Sequence, residues 1–162
     1  MRIERKAERV LDRIDLNILH HLQENARLQM KDIAEAVGLT SAPCIDRVRR
    51  LEKNKVITGY HARIDPVVLD LSMLVFIEIT LADNAGDRSQ QFKRELAKVP
   101  AVLDCYWVSG RYDYLIKARL RDMAQYRALL SEVLLRLPGV KQVDSTVVIE
   151  EIQTAHGLPI II

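Results

Sequence analysis

Five cations crowd residues 41–55 of this 162-residue chain: Arg47, Arg49, Arg50, Lys53 and Lys55, set against Asp46 and Glu52. A local charge of +3 is the footprint of a surface that attracts phosphate oxygens, although a solvated helix face has the same composition. Wound at about 100° per residue, Cys44, Ile45, Val48 and Leu51 share one arc. Pro43, Asp46, Arg50 and Lys53 lie opposite, and Arg47 and Arg49 flank them. The wheel therefore turns the basic side chains outward. Arg47 and Arg50 then reach guanine edges or phosphates, Thr40 and Ser41 donate to phosphate beside the helix N-terminus, and Lys53 and Lys55 supply backbone charge. Asp46 orients an arginine or accepts from a cytosine amino group. Candidate contacts to a duplex are thus Thr40, Ser41, Pro43, Asp46, Arg47, Arg49, Arg50 and Lys53.

Other chemistries find less support. Cys44 and Cys105 stand 61 positions apart with no CxxC or CxxH spacing, so they form neither a disulfide framework nor a zinc signature. Cys44 sits in the apolar arc and reads as a small buried hydrophobe. His20 and His21 are adjacent on a helix and cannot face one metal, and His61 and His156 lack a nearby Cys or His. No metal site is expected. The chain has no phosphate loop, no Gly-x-Ser-x-Gly elbow and no dinucleotide fingerprint.

Composition agrees with a folded domain or two: 49% hydrophobic and 28% charged residues bury a core and argue against long disorder. No apolar run approaches the ~18–20 residues of a membrane span. The start, Met1 to Lys6, lacks the apolar stretch of a secretory signal, so a reducing, cytoplasmic setting is expected. Net charge is +2, but residues 1–65 carry +3 and residues 66–162 carry −1.

The elements that position the basic segment follow from periodicity. Leu11, Ile14, Ile18, Leu22 and Ala26 trace one helix, and Met30, Ile33, Ala34 and Val37 a second that Gly38 stops. A third opens at Thr40-Ser41-Ala42-Pro43, a hydroxyl cap followed by proline in the first turn, and runs to about Asn54. Two helices joined by a short turn, the second basic, form a helix-turn-helix, which places the start of its second helix in a major groove. Residues 56–64 are β-branched and aromatic and read as a small wing or connecting strand. Pro66 marks the boundary between a domain over 1–65 and one over 66–162.

Beyond Pro66 the period becomes two. Residues 72–81 and 102–109 read as strands, separated by a helix carrying Phe92, Leu96 and Val99. In the next strand Tyr114, Ile116, Ala118 and Leu120 alternate with Lys117, Arg119 and Arg121. Met123, Tyr126, Leu130, Val133 and Leu137 define another helix, and residues 140–149 a last strand. Val99-Pro100-Ala101-Val102 is echoed by Leu137-Pro138-Gly139-Val140, each between helix and strand. The order βαββαβ in two equal halves predicts a ferredoxin-like antiparallel sheet with both helices on one face, hence an α+β chain. The other face is uncovered, so apolar residues such as Val75, Ile77, Trp107 and Val108 are shared between the helices and a second subunit. The apolar end, Pro159-Ile160-Ile161-Ile162, either packs on a neighbouring subunit or frays.

Several separate stretches resemble one family. Leu11 to Leu19, the segment Pro43 to Glu52, then Ile57-Thr58-Gly59-Tyr60, Val108 to Leu115 and Leu137-Pro138-Gly139-Val140 are similar, in order and spacing, to the Lrp/AsnC (feast/famine) transcriptional regulators over roughly residues 10–155. The resemblance implies a winged helix-turn-helix followed by an α/β effector (RAM) domain, dimers assembling into octamers, a free amino acid bound between dimers, and control of amino-acid metabolism genes. It maps the effector loop onto Ser109, Gly110, Arg111, Tyr112 and Asp113. There Gly110 permits close approach, backbone amides would hold a carboxylate and Asp113 an ammonium; an ordinary hairpin turn fits the same residues. Val75, Met123, Leu135 and Val147 match apolar positions tied to the ligand response and equally fit a core. Arg111 and Trp107 depart from the family's usual residues, and a bulky Trp107 favours a small or polar amino acid such as cysteine, alanine or asparagine over leucine. The implied partners are double-stranded DNA, a small amino acid and further copies of the chain. Two rival readings stand: a sensor that acts only through mixed oligomers, and a small dimeric enzyme. All four histidines fall outside residues 66–150, which speaks against the enzyme.

Overall fold

The computed structural model describes residues 11–82, 87–154 and 157–161, which fall into two compact units, Met1–Ala62 with Gln153–Ile162, and Arg63–Ile152. The division at 62/63 comes slightly before the one expected at Pro66. The C-terminal residues belong with the first unit rather than the second.

The first unit holds helices α1 (Arg13–Glu24), α2 (Met30–Ala36) and α3 (Ser41–Lys53). Its core is Ile18, Leu22, Ile33, Ala34, Cys44, Val48 and Leu51, with Ile14, Val37 and Ile57 packed at the margin. Cys44 is fully buried, and burial raises its thiol above the ordinary value. Gly38 takes a φ of +71°, which lets the Leu39 N–H donate to the Ala34 carbonyl at 2.8 Å and end α2 within a four-residue turn. Two local expectations fail. Thr40 is the N-cap of α3, but its side chain makes no capping hydrogen bond. Residues 57–65 pair with no strand, so no wing ladder exists among the described residues. Leu158 is paired by its backbone with the Gln23 amide: Leu158 N–H donates to Oε1 at 2.8 Å and Nε2 donates to the Leu158 carbonyl at 3.0 Å. Leu158 thus ties the tail to α1 of its own chain, while Ile161 beyond it is 89% exposed. His156, Ile162 and Met1 to Lys6 lie outside the described residues.

The second unit contains β1 (Met73–Leu81), α4 (Asp87–Leu96), β2 (Val102–Trp107), β3 (Tyr114–Leu120), α5 (Met123–Ala128) and β4 (Val140–Val147). All pairings are antiparallel in the order β2-β3-β1-β4, the split βαβ arrangement expected. Val75, Ile77, Ile79 and Leu81 of β1 and Tyr114, Ile116, Ala118 and Leu120 of β3 face the helices with Phe92, Leu96, Leu129 and Leu134. Val75 and Ile77 are therefore core residues, not shared with the open face. That face carries Phe76, Glu78 and Thr80 of β1, opposite Lys117 and Thr146.

The last helical stretch departs from the expected stripe. After α5 the chain makes a π-helical turn over Leu129–Val133 and a 3-10 turn over Leu134–Arg136. The buried residues are Leu129 and Leu134, five apart, a spacing that only the wider turn places on one face. Met123, which matches a ligand-response position and equally fits a core, stands 53% exposed.

Candidate nucleic-acid interface and effector site

Helix α3 is positioned by charge as much as by its apolar arc. Asp12 caps α1 in a capping box with Asp15, whose N–H donates to Asp12 Oδ1 at 2.8 Å. Asp15 lies in the apolar stripe of α1 with Ile18 and Leu22, and its side chain is 1% exposed. Two arginines of α3 reach it. Arg47 Nη1 donates to Asp12 Oδ2 at 2.6 Å and Asp15 Oδ1 at 2.8 Å, while Arg50 Nη2 spans Asp15 Oδ1 and Oδ2 at 2.8 and 2.7 Å. Charge-assisted bonds of this length are the strong class. The Asp15 backbone bond and the Arg47 guanidinium hold the Asp12 carboxyl below its usual range, and Asp12 and then Asp15 push Arg47 up from its own.

This corrects the outward orientation expected of Arg47, which turns back to α1 and is 25% exposed. Arg50 stays exposed as expected, while its guanidinium also pairs with Asp15. The wheel considered α3 alone, whereas Asp15 sits 32 and 35 positions away. A readable signal existed: a carboxylate placed inside a helical apolar stripe requires a cationic partner. Exposed on α3 are Ser41, Ala42, Pro43, Asp46, Arg49, Arg50 and Lys53, with Arg50 also paired to Asp15. Arg49 and Asp46 stand 3.9 Å apart in water, a pairing too weak to withhold either from a ligand.

The predicted effector residues are divided by the sheet. Val108 N–H donates to the Asp113 carbonyl, and Asp113 N–H to the Ile79 carbonyl, each at 2.9 Å. The Asp113 carboxylate accepts from Leu81 N–H at 2.7 Å, so it anchors the loop to β1. Ser109, Gly110 and Arg111 are exposed and Tyr112 is half-buried. Trp107 closes the edge strand β2, 73% exposed, with Lys93 Nζ 5.9 Å from its ring and from that of Tyr114. Lys93, unmarked in the sequence, stands on a groove of about 460 Å³ whose floor includes Leu96, Val99, Val102 and Trp107. An apolar floor with one cation suits a ligand that carries a carboxylate.

Val147 lies on β4, the opposite edge, beside the fully buried Val75. Three strand spacings, about 14 Å, separate the edges, so one chain does not bring Trp107 and Val147 into one pocket. Met123, Leu135 and Val147 are 53%, 51% and 40% exposed. Among the described residues no group of three or more His, Cys, Asp or Glu side chains could hold a metal, and no helix is long and apolar enough to cross a membrane.

Comparison with known proteins matches both units. Residues 11–52 match the AsnC-type helix-turn-helix domain, and residues 74–158 the Lrp/AsnC ligand binding domain. The leucine-responsive regulatory proteins of Escherichia coli K12 and Salmonella typhimurium are each 47% identical over 150 residues, covering 93% of this chain and 92% of theirs. Among solved structures, a transcriptional regulator from Neisseria meningitidis in complex with L-Met superposes with a TM-score of 0.88 at 34% identity, over 92% of this chain and 96% of that one. An AsnC family transcriptional regulator from Agrobacterium tumefaciens gives 0.87 at 32% identity, over 92% and 97%. These relatives are regulators, not enzymes. With an AsnC-type helix-turn-helix in one unit and an Lrp/AsnC ligand binding domain in the other, the chain belongs to the Lrp/AsnC family of transcriptional regulators.

Proposed function

We propose that this regulator binds specific double-stranded DNA through α3 and that a free amino acid, held by the second unit, tunes that binding for genes of amino-acid metabolism. The observation that carries the reading is the exposed polar ridge of α3, with Arg49, Lys53 and Ser41 available to a groove and its phosphates. Amino-acid recognition draws on the matched ligand-binding domain and on the Neisseria relative's L-Met complex. Assembly of copies draws on the open sheet face with Phe76, on exposed Leu103 and Tyr106 of the edge strand, and on the division of the effector residues between two edges. A site joining Ser109 to Asp113 and Trp107 with Met123, Leu135 and Val147 then forms between copies, as homodimers join into octamers. For the amino acid to act as a switch it must prefer one assembly or conformation, because equal affinity for both shifts nothing.

The ligand favoured is small or polar, with cysteine, alanine and asparagine first, since Trp107 occupies volume where a second copy would close on it. Calorimetric titration of the assembled protein with each amino acid tests this. Heat from small residues and weak binding of leucine and methionine is expected; tight leucine or methionine binding with no response to small residues rejects the preference.

A further inference from the structure

The side chains of α3 fall into three sectors. Cys44, Val48 and Leu51 enter the core. Ala42, Asp46, Arg49 and Lys53, spaced four, three and four apart, form one fully exposed ridge, and Arg47 and Arg50 occupy the flank between ridge and core. Four bonds of 2.6–2.8 Å tie that flank to Asp12 and Asp15. A helix held only by its apolar arc can roll by some degrees as leucine and valine repack. One that is also held at a second sector cannot, because a roll that lifts Arg50 would strip a carboxylate that is 1% exposed of its partner.

Resting on the DNA-binding reading above, we infer that Asp15 is a specificity-setting positioning residue: its buried carboxylate, gripping Arg47 and Arg50, fixes the rotation of α3 so that Ala42, Asp46, Arg49 and Lys53 face the base edges. Arg47 and Arg50 are parts of this clamp and do not read bases. Ridge chemistry is itself selective: a methyl at Ala42 for a thymine methyl, a fork at Arg49 for guanine, and an acceptor at Asp46 for a cytosine amino group. Asp15 acts through the two arginines and never touches the duplex.

The test uses the full-length protein and a duplex enriched from a random pool by the wild type, with a scrambled duplex of the same length. Affinities for both are measured over a range of salt, for Asp15→Asn, Arg50→Gln, Arg49→Gln and the conservative Asp15→Glu, each well below its own melting temperature. The clamp predicts that Asp15→Asn and Arg50→Gln lower the ratio of selected to scrambled affinity about tenfold. The salt slope should hold, because no phosphate contact is removed, and Asp15→Asn should bind the scrambled duplex as tightly as wild type or more so. Asp15→Glu should restore part of the ratio. Arg49→Gln should remove discrimination at one base pair. A merely structural role would move melting temperatures and leave the ratio of the folded protein unchanged, which overturns the inference. It is also overturned if Arg50→Gln shallows the salt slope by about 0.9, the value of one phosphate contact, or erases preference at one base pair while Asp15→Asn keeps the ratio. If the wild type enriches no duplex, the DNA-binding reading fails and the inference with it; a wild type that discriminates beside clamp variants that discriminate equally well refutes the inference alone.

Discussion

Replacing Asp15 by alanine should loosen the first unit and leave the second untouched. Asp15 accepts one bond from Arg47 at 2.8 Å and two from Arg50 at 2.7 and 2.8 Å. Arg50 is 53% exposed, so water replaces much of what it loses, and its share is near the ~0.5 kcal/mol of a surface pair. Arg47 is 25% exposed and keeps Asp12, so its loss is one charge-assisted bond, about 1.5 kcal/mol. The total is about 2 kcal/mol, which opens the unit about 30-fold more often. Native-state hydrogen exchange followed by mass spectrometry separates the units: peptides from α1 and α3 should exchange about 30-fold faster, and those from β1 and β3 at the wild-type rate. Arg49→Ala should change neither set, since its partner is a solvated carboxylate 3.9 Å away. A change below threefold in α1 and α3, or the same change for Arg49→Ala, would refute the clamp energetics.

Partial burial of the phenol and the bond it donates to Glu52 Oε1 at 2.9 Å push Tyr60 up to about 12; a folded value above the unfolded one of about 10 means this contact stabilises below pH 10 and is lost as pH rises through 12, so phenolate absorbance should show one late tyrosine that Tyr60→Phe abolishes. Gly38→Ala places a Cβ in open space but at a φ of +71°, so it should cost about 1 kcal/mol in the first unit by chemical denaturation through backbone strain alone. Cys44 is buried and Cys105 exposed, so a maleimide should leave Cys44 unmodified in the native protein and reach it only in denaturant, with any native adduct at Cys105.

What was legible in the sequence was whatever one element determines by itself. The alternation of Tyr114, Ile116, Ala118 and Leu120 reappears residue for residue as the buried face of β3, because a strand's period of two is rigid. The arc of Cys44, Val48 and Leu51 is buried for the same local reason, and the βαββαβ order matched the observed sheet order β2-β3-β1-β4. Illegible were features set by distant partners. Arg47 and Arg50 face Asp15 across more than thirty residues, and Gln23 meets Leu158 across 135. The stripe from Met123 to Leu137 was legible in part: Tyr126, Val133 and Leu137 pack against the core, but the buried Leu129 and Leu134 were missed because a π turn is wider than 3.6 residues. Residues 56–64 have strand composition, but composition does not supply a neighbouring edge to pair with.

Ligand-tuned DNA binding is tested most directly by titrating the purified protein against the DNA upstream of its own coding sequence and a scrambled control, at two salt concentrations, with and without pooled amino acids. A ligand-tuned regulator prefers the upstream DNA, and that preference changes when amino acids are added. Equal binding to both duplexes that collapses together as salt rises would be charge attraction alone and would contradict the central claim.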